Sequence, residues 1–349
     1  MTQPFTLDCP MPIMKRDKVL LGHGSGGKLS ADLMRSVFMP AYENATLARM
    51  DDQAIVCLNQ DRIAFTTDSF VVKPLFFRGG DIGSLAVHGT VNDLAMGGAV
   101  PMFISAAFII EEGFPMESLH RIAGSLGRAA DACGVQVVTG DTKVVDKGSG
   151  DGVFINTTGL GLVPNGVSLS ACQARPGDAV ILSGSIGDHG IAILAAREGL
   201  EFDTPVESDS APLHKLVAEM IAVSKSIRVL RDPTRGGVSS TLNEIAEKSR
   251  VGIRIEETQI PVREEVRGAC EMLGLDPLYV ANEGKLIAIV DPAEADAVVE
   301  AMRRNPLGKD ARVIGTVTDK NPGWVSIRTA LGSTRAVEML AGDQLPRIC

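Results

Sequence analysis

Isolated acids beside glycines and apolar runs are the first candidates for chemistry. Thr66-Thr67-Asp68-Ser69 closes a β-rich run that begins at Arg62, and Asn92-Asp93 lies at the far end of a helically spaced stretch, Ile82 to Leu94. Asp51-Asp52 precedes the apolar segment Ala54 to Leu58, a second strand signal. Hairpin-like pairing of the two strands would bring Asp51 or Asp52 near Asp68, at one edge of one sheet. Val135 to Thr139 runs into Gly140-Asp141-Thr142-Lys143, repeating the pattern of strand followed by acid. Asp232 precedes Pro233 and is therefore held in a non-helical conformation with its carboxylate free. Each residue alone has an ordinary reading as a turn, a helix cap or a solvated side chain. Together, carboxylates at element ends beside glycines suit a hydrated divalent metal that holds phosphates.

A glycine-rich loop, Gly22-His23-Gly24-Ser25-Gly26-Gly27-Lys28-Leu29, matches most of a Walker A motif. Leu29 stands where a magnesium-binding hydroxyl belongs, and the apolar run before the loop is short, which argues against a P-loop fold. The backbone N–H groups of Gly24, Gly26 and Gly27, with Lys28, still suit a cover over phosphates. Ser183-Gly184-Ser185-Ile186-Gly187-Asp188-His189-Gly190 imitates a dinucleotide-binding turn but lacks its Gly-x-Gly-x-x-Gly spacing. His189, with no histidine at metal-binding spacing, reads as structural.

A chain of 349 residues points to two domains with ample cores. Its net charge of −9 and 4% aromatic content exclude a polyanion-binding protein built on basic patches and base stacking. The 37 glycines exceed the usual share of about 7% and imply many tight turns or close backbone approaches. Cys9, Cys57, Cys133, Cys172, Cys270 and Cys349 lie far apart with no Cys-x-x-Cys, so neither a zinc knuckle nor a disulfide framework is indicated. With no signal-peptide pattern, the expected compartment is the reducing cytoplasm. The uncharged window Leu94 to Ile110 is broken by Gly97-Gly98 and Pro101, and reads as a loop and a buried strand rather than a membrane span.

Helical periodicity is expected at Leu29 to Phe38, Pro115 to Cys133, Pro212 to Ile221, Ser239 to Lys248 and Ala293 to Arg303. Strands are expected at Ala179 to Leu182, Leu286 to Val290, Arg312 to Val317 and Trp324 to Arg328, with a loop from Val229 to Val238. Pro164-Asn165-Gly166 suggests a domain change. The expected organisation is a mixed α/β protein: an arm and glycine loop over 1–42, an N-terminal domain over 43–165, a C-terminal domain over 166–338, and a mobile tail over 339–349. Pro346-Arg347-Ile348-Cys349 ends that tail in a thiol. A proline limits the conformations lost when a short tail threads into a cleft, which suits a swinging carrier.

Taken together, Gly22 to Lys28, Asp51-Asp52, Thr67-Asp68-Ser69, Asn92 to Gly98, Gly140 to Lys143, Asp232 to Gly237, Asn282-Glu283-Gly284 and the closing Pro-Arg-Ile-Cys resemble the HypE family of hydrogenase maturation proteins, the carbamoyl dehydratases. That family lies within the aminoimidazole ribonucleotide synthetase and selenophosphate synthetase superfamily. The resemblance implies that superfamily's two-domain fold, an N-terminal ATP-binding and dimerisation domain, and a homodimer. It places metal contacts on Asp51, Asp68, Asp93 and Asp232, and nucleotide contacts on Asp51, Asp68, Asn92, Asp93, Gly140, Asp141 and the loop Gly24, Gly26, Gly27, Lys28. It implies ATP and Mg²⁺ as cofactors, HypF carbamoyltransferase and the HypC–HypD complex as partners, and no nucleic acid or membrane. The implied activity is ATP-dependent dehydration of a thiocarboxamide on Cys349 to a thiocyanate, supplying cyanide to the iron of [NiFe] hydrogenase, with Glu283 and Lys143 as acid–base groups. Two alternatives stand beside it. A selenophosphate-synthetase-like kinase would want a cysteine or selenocysteine in the glycine loop, which here holds His23 and Ser25, and a non-catalytic scaffold would not need acids at four element ends.

Overall fold

The computed structural model describes residues 27–38, 47–58, 61–200, 206–342, 345 and 347–349. Gly24 and Gly26 lie outside them. In chain order the elements are α1 (Lys28–Leu33), β1 (Ala54–Leu58), β2 (Asp61–Phe70), β3 (Phe76–Phe77), β4 (Gly80–Asp81), α2 (Ile82–Met96), β5 (Val100–Glu111), α3 (Met116–Cys133), β6 (Gln136–Val145) and β7 (Val153–Leu162). There follow β8 (Ala179–Leu182), α4 (Asp188–Glu198), α5 (His214–Val223), β9 (Ile227–Arg231), α6 (Gly237–Ser249), β10 (Gly252–Glu256), α7 (Glu264–Leu273), β11 (Ile287–Val290), α8 (Ala295–Arg304), β12 (Arg312–Thr318), β13 (Val325–Arg328) and β14 (Thr334–Val337).

Two sheets divide these strands. The first has the order β1-β2-β7-β5-β6, and the second β14-β13-β10-β12-β8-β11-β9. The expected hairpin is present: β1 and β2 are antiparallel, with Ala54 opposite Phe65 and Leu58 opposite Asp61. β2 continues to Phe70 instead of stopping at Asp68, because its pairing with β7 runs on through Phe70 and Ile155. Asp68 is thus a strand residue.

The inner face of the first sheet is closed by α2 and α3, while the outer face carries exposed Val56, Phe65, Phe103, Ile109, Leu160 and Leu162. α3 is amphipathic, burying Ile122, Leu126, Ala129, Ala130 and Cys133 on one side, and it ends at Gly134 in the left-handed conformation. α2 is different. Asp81 caps it, accepting from Gly83 N at 2.9 Å and Ser84 N at 3.0 Å while its own N–H donates to Ser84 Oγ. It has no polar stripe, because both sides are covered: Leu94, Ala95 and Met96 join Leu213, Leu216, Met220 and Leu286 of the second half in one core.

Asn92 fixes that junction. Its Nδ2 donates to the Ala211 and Glu283 carbonyls at 3.0 and 3.1 Å, and its Oδ1 accepts from Leu213 N at 2.7 Å. Asn92→Ala would leave three buried backbone groups without partners, so denaturant unfolding should show a loss of roughly 2–4 kcal/mol. A loss below about 0.5 kcal/mol would contradict this role.

The second sheet is covered by α5 and α8 on one side and α6 on the other. Leu216, Val217, Val298 and Met302 fill the first layer, and Val238, Leu242 and Ile245 the second. Residues 229–231, expected as the start of a loop, belong to the edge strand β9, which pairs with the buried β11. The strand delivers Asp232 at its end. Among the described residues no helix is long and apolar enough to cross a membrane.

Candidate active site at the buried C-terminal cysteine

β1, β2, α2 and the turn after β9 meet around one cavity of about 500 Å³. It is lined by Asp51, Asp52, Asp68, Asp93, Asp232, Glu244 and Glu283, with Arg231, Arg235 and Cys349. The hairpin brings in the acids before β1, Asp68 enters from β2, and α2 contributes Asp93, whose carboxylate accepts from Thr66 Oγ1 at 2.8 Å. Gly236 and Gly237 make the turn that swings Arg235 inward. Both have positive φ, 77° and 61°, and a Cβ on Gly237 would lie 2.5 Å from the Leu278 carbonyl oxygen.

Too much negative charge is gathered here for every carboxyl to ionise easily. Burial pushes Asp52 up to about 7, against the opposing pull of Arg231, whose Nε lies 2.6 Å from its Oδ2. Burial also raises Asp232 to about 6, with Arg231 opposing. Asp93 is raised well above the usual range by burial and then by Asp232, Asp68 and Asp52. Glu283 is raised by burial, with Asp232, Asp68 and Asp209 adding. Asp68 is raised by burial against the pull of Arg235 and the Ser69 N–H. A multivalent cation would relieve this repulsion.

The donors are hard oxygens, the chemistry that magnesium takes. Among the described residues no three Asp, Glu, His or Cys side chains converge closely enough to hold a metal alone. That fits an ion which keeps waters and takes one or two carboxylates while phosphates supply the rest. Asp51 is the most committed of the acids. It accepts from Ser170 Oγ at 2.9 Å and Ala171 N at 3.1 Å, and pairs with Arg49 at 3.0 Å.

The C-terminal tail, expected to swing, is docked. Val71 N donates to the Cys349 carbonyl at 2.9 Å and Lys73 N to the Arg347 carbonyl at 3.2 Å, a strand-like pairing beyond β2. Arg197 Nη2 donates to the Arg347 carbonyl at 2.9 Å and the Lys73 carbonyl at 2.8 Å. Arg347 pairs with Asp151. Ile348 and Cys349 are buried against the core that includes Phe70, Val72 and Ile82. Burial lifts the Cys349 thiol to about 12, with Arg235 opposing and Glu283 adding.

Several expected positions are elsewhere. Asn92 faces the junction of the two halves, its hydrogen-bonding capacity used there, and not the cavity. Asp141 and Lys143 pair with each other at 2.8 Å on the edge strand β6, with side chains 61% and 69% exposed, outside the cavity of their own chain. Gly140 on the same strand has a packing reason, since its Cβ would lie 2.1 Å from the Ala106 carbonyl oxygen of β5. Lys28 N donates to the Leu340 carbonyl at 2.8 Å, and a Cβ on Gly27 would strike that oxygen at 2.2 Å. So the last two residues of the glycine loop rest on the base of the tail.

The sequence reading missed Arg231, Arg235 and His189 as site residues. The arginines were legible in principle, because acids drawn into one cavity need cationic partners and Arg231-Asp232-Pro233-Thr234-Arg235 supplies two. His189 gave no such signal. Its imidazole is fully buried, 2.7 Å from the Ile348 carbonyl and 4.0 Å from Glu283 Oε1.

Residues 50–163 match the AIR synthase related protein N-terminal domain, and residues 175–326 its C-terminal domain. The chain is 55% identical over 337 residues to the protein named carbamoyl dehydratase HypE from Cupriavidus necator, covering 96% of each. It superposes on the HypE chain of a HypE–HypF complex with a TM-score of 0.85 and 51% identity, covering 88% of this chain and 99% of that one. A HypE structure in complex with ATP gives a TM-score of 0.81 and 48% identity, covering 95% of this chain and all of that one. The mixed α/β architecture is therefore the two-domain AIR synthase-like fold, and the chain belongs to the HypE family of hydrogenase maturation proteins.

Proposed function

We propose that this chain is an ATP-dependent carbamoyl dehydratase that turns a thiocarboxamide on Cys349 into a thiocyanate. The observation that carries the reading is the terminal thiol seated in an acid-lined cavity, beside Glu283 and Arg235. The relative solved with ATP supports nucleotide as the second substrate, and the one solved with HypF supports a carbamoyltransferase as donor.

An amide oxygen is a poor leaving group, so it must first be phosphorylated. The carbonyl oxygen attacks the γ-phosphorus of ATP, the bond to the β–γ bridging oxygen breaks, and ADP departs. The C–O bond then breaks with the oxygen leaving as phosphate, while the nitrogen loses both protons and C≡N forms. One proton is taken by Glu283 and the other leaves with phosphate or water. Asp51, Asp68, Asp93 and Asp232 would offer one or two carboxylates at a time to a magnesium ion bound with the phosphates, and such an ion would neutralise charge on the transferring phosphoryl group. Arg235 aids the same charge from the chain itself. Gly24, Gly26, Gly27 and Lys28 serve as a cover that excludes water, and the thiocyanate passes as cyanide toward iron on HypC–HypD in the cytoplasm.

A homodimer completes the reading. The outer face of the first sheet is apolar, and both faces of β6 are exposed, with Val137, Val138 and Val144 open. The roles given to Gly140, Asp141 and Lys143 then require a second copy, because these residues do not reach the cavity of their own chain. The division into an ATP-binding and dimerisation half over 43–165, a half over 166–338 and a carrier tail over 339–349 belongs to the same reading. Intact-protein mass spectrometry after incubation with the transferase, carbamoyl phosphate and ATP should show a carbamoyl adduct that loses one water. An adduct that forms and never dehydrates, whatever the nucleotide supply, would refute it.

A further inference from the structure

The tail is seated through its main chain. Successive main-chain oxygens of Arg347, Ile348 and Cys349 each receive a donor from the body of the protein, and only the Ile348 contact comes from a fully buried, ionisable side chain. A carbonyl oxygen only accepts, so His189 must carry its hydrogen on Nε2. Ser208 Oγ lies 2.7 Å from Nδ1, and the Ser210 N–H donates to the same oxygen at 3.1 Å, which leaves the hydroxyl hydrogen free to donate to Nδ1. Phe77 stands edge-on to the ring at 5.7 Å between centroids and fixes its plane. Glu283 lies near the same nitrogen, with Oε1 4.0 Å from Nε2. The imidazole therefore touches the tail one residue before the carrier cysteine and stands next to the carboxyl assigned to proton removal.

We propose that His189 is a positioning residue that latches the docked tail, holding the Ile348 carbonyl through Nε2–H in the tautomer that Ser208 selects. This deepens the dehydratase reading and rests on it for the identity of the cargo, but not for the latch itself. With the tail seated, the N–H is spent on Ile348. With the tail withdrawn, Glu283 Oε1, 4.0 Å away, is an acceptor close at hand for that buried N–H, so the same group alternates between holding the cargo arm and parking the base. Because the latch grips backbone, it treats free, carbamoylated and cyanated tails alike. It fixes the position of the sulfur without contacting it.

The test is the rate of N-ethylmaleimide modification at each cysteine of the full chain, followed by peptide mass spectrometry. Exposed Cys172 serves as the reference, and buried Cys133 and Cys270 report on general loosening. His189→Ala should speed modification of Cys349 by about tenfold or more, the size of one lost hydrogen bond, with the other three unchanged. His189→Gln, which keeps an N–H donor, should restore most of the protection. Ser208→Ala, which leaves the ring in place but releases its tautomer, should give a smaller rise and carries the test should the alanine variant not fold. With the transferase present, His189→Ala should leave carbamoyl loading unchanged or faster while slowing dehydration, a split that a merely structural defect would not produce. An unchanged Cys349 rate in folded His189→Ala would overturn the latch, as would equal acceleration at Cys133 and Cys270. Absence of dehydration in every variant, wild type included, would instead count against the dehydratase reading and leave the protection result standing.

Discussion

Cys349→Ala should abolish the carbamoyl adduct and all dehydration, while ATP binding and folding persist. Among the described residues, Cys133, Cys172 and Cys270 cannot substitute. Cys133 is buried in α3 beneath the first sheet and Cys270 in α7 against α4, and burial holds both thiols up to about 11. Cys172 is exposed, hydrogen-bonded to Ser170, and not among the residues that line the cavity. The docked Cys349 is also a poor nucleophile. With a pKa of about 12, only on the order of one thiol in 10⁵ is ionised at pH 7. On the dehydratase reading proposed above, the thiol would be loaded with the tail outside the cavity and the chemistry finished inside, so loading would depend on the donor protein and finishing would not. Detection of the adduct at any other cysteine in Cys349→Ala, with dehydration intact, would remove the carrier role.

Glu283→Gln should accumulate the carbamoylated chain, because dehydration should fall by about 10²–10⁴-fold, the usual contribution of a positioned acid–base group. The replacement is nearly isosteric and keeps the backbone contacts of residue 283, its N–H to Asp209 at 3.0 Å and its carbonyl to Asn92. Loading should be unaffected, since the carboxyl lies inside the cavity and meets Cys349 only when the tail is docked. Its surroundings explain the choice of base. Burial, with Asp232, Asp68 and Asp209 adding to it, holds the carboxyl well above the ordinary glutamate range, the kind of perturbation that marks acid–base groups. Single-turnover chemistry on pre-loaded protein would measure it. A decrease smaller than about threefold would assign proton removal elsewhere.

How much of this was legible before the structure depends on which interaction positions each residue. The acids at 51, 52 and 68 were legible because a two-residue link between apolar runs, Asn59-Gln60, makes antiparallel pairing local. Asp232 followed from the Asp-Pro restriction, although the strand before it looked like loop. There the alternation of arginines with apolar residues was misleading: Arg228 and Arg231 leave the sheet to pair with Asp178, Asp291, Asp52 and Glu244. Asn92 and Asp93 are adjacent in sequence, yet a helix turns successive side chains about 100° apart, so one joins the two halves and the other lines the cavity. Which of the two does which follows only from knowing that α2 is buried on both sides. His189 was unreadable for a different reason, because its partner lies 159 residues away and is a backbone oxygen, which has no residue-type signature. α7, β10 and β14 also escaped notice, being short elements whose apolar residues match only through sheet neighbours.

The core shared by the two sheets bears on how the molecule can move. Opening a cleft between its halves would expose Leu94, Met96, Leu213, Leu216 and Met220 together and break the bridge at Asn92. Many nucleotide-using proteins close around their substrates like jaws, and a core shared in this way opposes that motion. On the proposed dehydratase reading, the work would be paced by the comings and goings of a few terminal residues through a fixed doorway. Improving or impairing turnover is then a matter of how that doorway grips a strip of peptide, and the frame around it stays still.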